Sequence, residues 1–225
     1  NKVGIEGTQT VSYLPNHEIQ LSTNSSFNIM SYSGVIEFHY EPNDQIIVAA
    51  LDSIFLDKLY YVTSDRQLKK YDRIDNSTEV LLDNIYPLPK QMIINGEESF
   101  IYYHTKRNVV KLNLNTLEKQ SLLTESIPIQ SIAVCESSKM IYISSSVDGK
   151  IYQHNQQTNT TNVFHHTMSA AGSSIWLDKK REELYFSRSN GRDIEIKKIN
   201  VNSKSSYDVI TLKNIFYINN LVIKD

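Results

Sequence analysis

The sequence lacks several features that would mark a particular class of protein. Cys135 is its one cysteine, so no disulfide can form within the chain. The net charge of −2 gives no bulk attraction to nucleic acid or acidic lipid. The most apolar run, IIVAAL at residues 46–51, is far too short to span a bilayer. No stretch keeps a 3.6-residue apolar period over three turns, so no helix is expected.

The size of the chain allows one large all-β domain or two small domains, with 225 residues of which 40% are hydrophobic. It begins at Asn1 and shows no charged-then-apolar leader, so we expect a processed product or a piece of a longer protein. Tyrosine outnumbers phenylalanine by 14 to 7. Tyrosine is favoured in half-buried strands whose edge is exposed to solvent.

A tyrosine that follows a large aliphatic residue recurs at a near-constant interval. The copies read LYYVTS, IYYHTK, IYISSS and LYFSRS, and their tyrosines are Tyr60, Tyr102, Tyr142 and Tyr185. The intervals between these tyrosines are 42, 40 and 43 residues. A period of about 40–45 residues is typical of a four-stranded β-propeller blade. The four tyrosines are therefore expected to occupy equivalent positions, with the preceding aliphatic residues on the opposite strand face.

Other strands repeat around each tyrosine. A short apolar strand precedes it, at residues 53–57, 92–94, 131–134 and 174–178, and an alternating strand and a mixed-polarity outer strand follow it. We therefore predict an all-β fold, a β-propeller of four-stranded antiparallel blades with five or six blades or part of such a ring. The predicted domain is a single propeller over residues 1–225, with clear repeats over 51–211.

The two ends of the chain leave ring closure open. Residues 220–225 repeat the inner-strand pattern, and residues 26–50 could form strands two, three and four of a blade. In one interpretation these two segments share a blade, which removes the open edge of the ring. In the other, the missing strands lie outside this chain, and the less regular residues 1–50 do not close the ring.

The first of these four copies carries a family resemblance. LYYVTSDRQLKKYDR, at residues 59–73, is similar to the YWTD repeat, in which a Tyr-containing strand is followed by a turn and a strand ending in Arg. PKQMII and PIQSIAV, at residues 89–94 and 128–134, resemble the proline lead-in to the inner strand of YWTD, NHL and related six-bladed propellers. The resemblance covers residues 51–225, although no copy has Trp after its Tyr.

Cations and apolar residues are predicted to share one rim of the propeller, because turns between second and third strands lie on the same face as the connections between blades. The turn cations are Arg66, Lys106, Arg107, Lys150, Arg188 and Arg192, and the aromatic residues of the connections are Tyr86, Phe216 and Tyr217. Tyr and Arg are enriched at protein interfaces, so this set is the predicted partner-binding rim. The alternative is that these turns are polar only because hairpin turns usually are, and that the apolar residues of the connections pack between blades.

The predicted function is a non-catalytic scaffold for protein–protein interaction, as part of a larger receptor, adhesion or assembly protein. The alternative is a small-molecule enzyme, lactonase- or lyase-like, that uses the central channel of the propeller. The inner strands line this channel, and their candidate residues for such chemistry are Asp52, Asp57, Asn95, Asp178 and Asn220. Acidic strand ends are usually turns, and no nucleophile, phosphate-loop or EF-hand motif is present. His154 and His165 are expected near each other without a third ligand, so no metal, cofactor or catalytic residue is assigned.

Three N-glycosylation sequons occur, at Asn24, Asn76 and Asn159. Asn76 and Asn159 are predicted to lie in turns between third and fourth strands, on the face opposite the rim. A protein partner is expected, with neither nucleic-acid binding nor direct membrane insertion. We favour an extracellular or secreted location, although a single cysteine also suits a reducing compartment.

Overall fold

The computed structural model describes residues 10–13, 19–23, 25–31, 35–51, 57–95, 99–124, 127–167, 173–190 and 193–213. These residues form five antiparallel sheets of four strands each, and no helix occurs within them. The strands of every sheet are consecutive in the chain and are paired in chain order. The protein is therefore all-β and has the blades of a β-propeller, as the repeat predicted.

The strand bounds are as follows. The first sheet contains β1 (Thr10–Tyr13), β2 (Ile19–Ser22), β3 (Phe27–Met30) and β4 (Ile36–Tyr40), and the second contains β5 (Ile46–Leu51), β6 (Lys58–Thr63), β7 (Leu68–Asp72) and β8 (Ser77–Leu82). The third contains β9 (Gln91–Ile94), β10 (Phe100–His104), β11 (Asn108–Asn113) and β12 (Lys119–Thr124). The fourth contains β13 (Ile129–Cys135), β14 (Met140–Ser145), β15 (Lys150–Asn155) and β16 (Thr160–His166). The fifth contains β17 (Ile175–Asp178), β18 (Glu183–Asn190), β19 (Asp193–Asn200) and β20 (Ser206–Leu212).

The described residues divide into two compact units. The N-terminal unit comprises those up to residue 105 together with 110–121, and the C-terminal unit comprises 106–109 and those from 122 onward. In the N-terminal unit, one apolar cluster lies between the first and second sheets and another between the second and third. In the C-terminal unit, an apolar cluster lies between the fourth and fifth sheets. Burial between neighbouring sheets thus holds each unit together.

The second sheet begins earlier than the sequence pattern predicted. Its first strand is β5, in which Ala50 pairs with Tyr60, and not residues 53–57. A short continuous apolar run such as IIVAAL has no alternation that shows which strand of a blade it forms. It fits the last strand of the first sheet as well as the first strand of the second. As a result β3 and β4 are the last two strands of a complete first sheet, and the assignment of residues 26–50 to strands two, three and four of one blade is wrong. Residues 52–56 and 220–225 lie outside the described part of the chain.

The repeated tyrosines are structurally equivalent. Each is the third residue of the second strand of its sheet, and each is no more than 5% exposed. The preceding aliphatic residue is fully buried in every copy. In the second sheet, Leu59 packs in the cluster toward the first sheet, whereas Tyr60 packs in the cluster toward the third. Both faces of this strand therefore contribute to the packing between blades, which confirms the predicted equivalence.

A second repeat lies in the turns between third and fourth strands of the second to fifth sheets. Each turn begins with an Asp or Asn whose side-chain oxygen accepts hydrogen bonds from two backbone N–H groups, at Asp72, Asn113, Asn155 and Asn200. The fourth residue after each has a φ between 51° and 60°, at Asn76, Leu117, Asn159 and Lys204. We call this element the Asx turn, because the Asp or Asn side chain closes it in place of a backbone carbonyl.

Asn155→Ala is expected to lower the free energy of unfolding by about 1 kcal/mol, because it leaves two turn N–H groups without their side-chain acceptor. Urea denaturation measures the loss. Asn155→Asp keeps the acceptor and should retain most of the stability. Gln157→Ala, at an exposed position of the same turn, should change stability by less than about 0.5 kcal/mol. Equal losses in all three variants would contradict the assigned role of the side chain.

Candidate functional site

In the second, third and fourth sheets, the turn between the second and third strands meets the connection to the next sheet at one edge, as the rim prediction requires. In the second sheet the Ile85 N–H donates to the Arg66 carbonyl at 2.8 Å. In the fourth sheet the Thr167 N–H donates to the Gly149 carbonyl at 2.7 Å. We call this side of a sheet the connection edge, and the Asx turns lie at the opposite end of the same strands.

Arg66 and Tyr86 form an exposed pair on the connection edge of the N-terminal unit. The Arg66 guanidinium carbon lies 5.3 Å from the centre of the Tyr86 ring, within the range of a cation–π contact. Tyr86 is 67% exposed, whereas its neighbour Ile85 is fully buried. The segment is therefore anchored by an apolar side chain while it presents an aromatic ring and a cation to solvent.

The other described rim cations lie in the C-terminal unit. Lys106 and Arg107 are exposed in the turn between β10 and β11, and the Lys106 carbonyl accepts a hydrogen bond from the Ile129 N–H at 2.8 Å. Lys150 is the first residue of β15, and its Nζ lies 3.5 Å from the Asp148 carboxylate.

Arg188 does not lie in a turn. It is inside β18, opposite Glu195 of β19, with its Nη1 3.7 Å from the Glu195 Oε2. The hairpin pairing continues to Asn190 and Asp193, so only residues 191 and 192 remain for the turn. Arg192, Phe216, Tyr217 and Asn24 lie outside the described residues.

Two of the three described candidates for channel chemistry close their own hairpins. The Asp178 carboxylate accepts hydrogen bonds from the backbone N–H groups of Lys180 and Arg181, both at 2.9 Å. The Asn95 side-chain oxygen accepts one from the Phe100 N–H at 2.8 Å. Asp57 immediately precedes β6 and is not part of an inner strand. Asp52 and Asn220 are outside the described part. The interpretation of short polar strand ends as turn residues therefore holds for Asp178 and Asn95.

His154 and His165 are not neighbours across the two outer strands. His154 pairs with Thr161, and its Nδ1 lies 3.0 Å from the Thr161 hydroxyl, whereas His165 is opposite Ile151. Three residues along a strand separate the two positions by about 10 Å. Among the described residues, no group of three or more His, Cys, Asp and Glu side chains is arranged to hold a metal ion.

The two described sequons lie where they were predicted, in turns between third and fourth strands. Asn76 and Asn159 are exposed, and each is the residue with positive φ in its Asx turn. The Asn76 side-chain oxygen also accepts a hydrogen bond from the Tyr71 hydroxyl at 2.8 Å. Asn159 is thus the simpler of the two positions to substitute without disturbing a buried side chain.

The C-terminal unit also contains a cavity of about 150 Å³ that no sequence motif indicates. It is lined by Cys135, Tyr142, Leu177 and Lys179, among others. Burial alone would raise the pKa of the Cys135 thiol, but hydrogen bonds from Ser137 and Ser138 outweigh it and lower that pKa. Only proximity across two sheets joins these residues, so sequence spacing carried no signal for the cavity.

The repeated four-stranded sheets place the chain among the β-propellers. The structure is similar to a chain in the crystal structure of a nidogen/laminin complex, with a TM-score of 0.71 and 9% sequence identity, over 92% of this chain and 80% of that one. At this identity the similarity establishes the fold alone. Neither a protein-family profile nor a curated protein matches the sequence. Within the part of the chain that is described, there is no helix long and apolar enough to cross a membrane.

Proposed function

We propose that this protein is a non-catalytic propeller scaffold that binds a protein partner through its connection edge. The observation that carries the proposal is Tyr86, a 67% exposed aromatic ring paired with Arg66 on a segment anchored by buried Ile85. Tyr and Arg are among the residue types enriched at binding hot spots. A ring already held in place loses less conformational entropy on binding than a free one, which favours affinity.

The cations and the aromatic ring have different parts in this proposal. Arg66 is exposed in the N-terminal unit, so it steers an acidic partner toward the connection edge there and speeds association, with a strong dependence on salt. Lys106 and Arg107 are exposed on the connection edge of the C-terminal unit and attract acidic groups to that unit in the same way. Tyr86 supplies apolar contact area, which slows dissociation. The partner therefore presents carboxylates around an apolar pocket. Arg188 is a weaker candidate for direct contact, because it is already paired with Glu195.

Two observations support the scaffold over the enzyme alternative. Asp178 and Asn95, which were candidates for channel chemistry, bind backbone N–H groups of their own hairpins. A similar solved structure is that of a nidogen/laminin complex, in which a propeller-like chain belongs to an assembly of proteins.

The finer assignments are part of the same proposal. We infer membership of the YWTD- and NHL-like group from the repeated Tyr strand and the proline lead-in, and a single propeller over residues 1–225 from the constant repeat. The larger protein would be a secreted or extracellular receptor, adhesion or assembly protein, with glycans at Asn76 and Asn159 on the edge away from the partner. No nucleic acid or cofactor takes part.

Photo-crosslinking in the protein's own cells tests the binding edge. p-Benzoylphenylalanine in place of Tyr86 is expected to give a discrete adduct with one partner protein, identified by mass spectrometry. The matched control is the same probe at Ile74, which is 77% exposed in the Asx turn at the other end of the same sheet. Adding Arg66→Glu should reduce the adduct at position 86 about threefold or more, because it reverses the steering charge. Equal adducts from both positions, or an adduct from position 74 alone, would overturn the proposal.

A further inference from the structure

The cavity of about 150 Å³ in the C-terminal unit lies between the fourth and fifth sheets, at the end where the Asx turns lie. Its walls come from the turn between β13 and β14, the turn between β17 and β18, and the Asx turn that follows β19. Liquid water takes up about 30 Å³ per molecule, so the cavity has room for about five waters. It is therefore large enough for the side chain of a small metabolite.

The floor of the cavity is apolar. Met140, Leu177 and Val201 line it together with the ring of Tyr142, and all four side chains are buried or half-buried. They belong to, or pack against, the apolar cluster between the fourth and fifth sheets. A ligand that places an aliphatic group on this floor is stabilised, because the group leaves water.

The mouth of the cavity is polar and carries charges of both signs. Lys179 and Glu182 are exposed lining residues, and both come from the turn between β17 and β18. Ser137 and Ser138 line the wall on the side of the fourth sheet. The mouth thus offers a cation, a carboxylate and two hydroxyl groups around the apolar floor, which is the usual composition of a small-molecule site.

Hydrogen bonds hold the charged turn in place. The Asp178 carboxylate accepts two backbone N–H groups of this turn, both at 2.9 Å. The Glu182 carbonyl accepts a hydrogen bond from the Val201 N–H at 2.9 Å, and its carboxylate accepts one from the side-chain amide of Asn202. The position of the Glu182 carboxylate is therefore set before any ligand arrives, which favours binding.

The two charges act on different groups of the cavity wall. Burial opposes ionisation of the Cys135 thiol, but hydrogen bonds from the two serines and then the charge of Lys179 outweigh it and lower the pKa of that thiol. Burial, the Cys135 thiol and the Glu182 carboxylate together raise the pKa of Tyr142 to about 12. The cation thus acts beside Cys135, and the carboxylate acts beside Tyr142.

We propose that this cavity binds a small apolar α-amino acid, with its carboxylate at Lys179, its ammonium group at Glu182 and its side chain on the apolar floor. A zwitterion pairs with both charges at once, whereas a ligand of one charge desolvates the other group without giving it a partner. The serine hydroxyls donate further hydrogen bonds to the carboxylate, which is an acceptor only. In the fourth sheet the site lies at the end opposite to the connection edge, so it is a function separate from partner binding.

The thiol of Cys135 gives a specific measure of occupancy, because it is the one cysteine of the chain and lines the cavity. The probe ligand is L-leucine, and the reaction followed is that of the thiol with dithiodipyridine, an uncharged thiol reagent. With a Kd of about 1 mM, L-leucine at about 10 mM fills about nine-tenths of the sites and should slow the reaction about fivefold or more. The bound side chain covers the thiol.

Three matched compounds separate the parts of the ligand. Glycine keeps the zwitterionic head without the aliphatic group, isocaproate lacks the ammonium group, and isoamylamine lacks the carboxylate. At the same concentration and ionic strength each should slow the reaction less than about twofold, because each loses one of the three contacts. Protection by glycine or by isocaproate equal to that by leucine would overturn the proposal.

Lys179→Gln and Glu182→Gln should each weaken the apparent affinity for leucine about threefold to fivefold, as expected for a partly exposed ion pair. Affinity is taken from the ratio of rates with and without leucine, since Lys179→Gln also alters the thiol itself. Lys180→Gln, at an exposed residue of the same turn that does not line the cavity, should keep the parent affinity.

Calorimetric titration with leucine measures the same affinity without the thiol reaction. Neither heat nor protection in the parent protein, or an unchanged affinity in both Lys179→Gln and Glu182→Gln, overturns the amino-acid site. These two substitutions affect exposed side chains, so the folded protein is expected in both. The crosslinking at position 86 involves none of these residues, so it tests the proposed function separately.

Discussion

Tyr142→Ala is expected to lower the free energy of unfolding by about 3–5 kcal/mol. Tyr142 is 3% exposed, and its ring makes an edge-on contact with Phe164 at 5.1 Å between centroids. It belongs to the cluster between the fourth and fifth sheets, together with Leu177 and Leu184. Truncation leaves a cavity at this contact, and the surrounding sheets can close it only partly because their strands are fixed by hydrogen bonds.

Urea denaturation of three further variants separates packing from other effects. Tyr142→Phe keeps the ring and removes the hydroxyl that bonds Gln153, so it should cost only about 1 kcal/mol. Tyr207→Ala, at a 55% exposed tyrosine of the same unit, should cost less than about 0.5 kcal/mol. Tyr60→Ala should match Tyr142→Ala, because the two residues occupy the same place in their sheets. A loss at Tyr142 no larger than that at Tyr207 would contradict the packing between blades.

Stability is expected to fall by about 2 kcal/mol between pH 6.5 and 5 through a single buried histidine. His104 is 1% exposed at the end of β10, and its Nδ1 lies 2.7 Å from the Thr105 carbonyl. Burial, opposed by that hydrogen bond and assisted by Lys90, lowers its pKa from 6.5 to about 4. The unfolded chain therefore takes up a proton first as the pH falls. The full contribution is present above pH 6.5, and it is lost as the pH falls toward about 4.

The variant His104→Asn isolates this contribution, because the amide retains a donor for the Thr105 carbonyl and does not titrate in this range. Its free energy of unfolding, measured in urea at several pH values, should be nearly flat between pH 6.5 and 5 compared with that of the parent. Parallel slopes in the parent and in His104→Asn would show that another group carries the pH dependence.

The parts of the fold that could be predicted from the sequence are those set by local, repeated patterns. The interval between Tyr60, Tyr102, Tyr142 and Tyr185 predicted both the four-stranded blades and the equivalence of these residues, because alternation along a strand is visible in the residues themselves. The first strand of the second sheet was misplaced, because β5 is apolar on both faces and carries no period.

The candidate site was less predictable, because its geometry depends on pairing and on contacts between sheets. Arg188 was predicted in a turn, but the length of the β18–β19 hairpin is set by its register and not by the residue type at position 188. The surroundings of His165 come from Phe186 and Lys197, which follow it by more than 20 residues and reach it only when the two sheets pack. The contact between Arg66 and Tyr86 likewise joins a turn to a connection after an intervening outer strand.

The Asx turn has a consequence for how these repeats change over time. One side chain, Asp or Asn, closes each turn, and the residue with positive φ four positions later is Asn, Leu or Lys. The four turns read DRIDN, NLNTL, NQQTN and NVNSK, so every position after the first varies. A duplicated blade can therefore accumulate substitutions at most turn positions without a change of strand register. Copies of a blade can therefore keep the same hydrogen-bond geometry in this turn after their sequences have diverged.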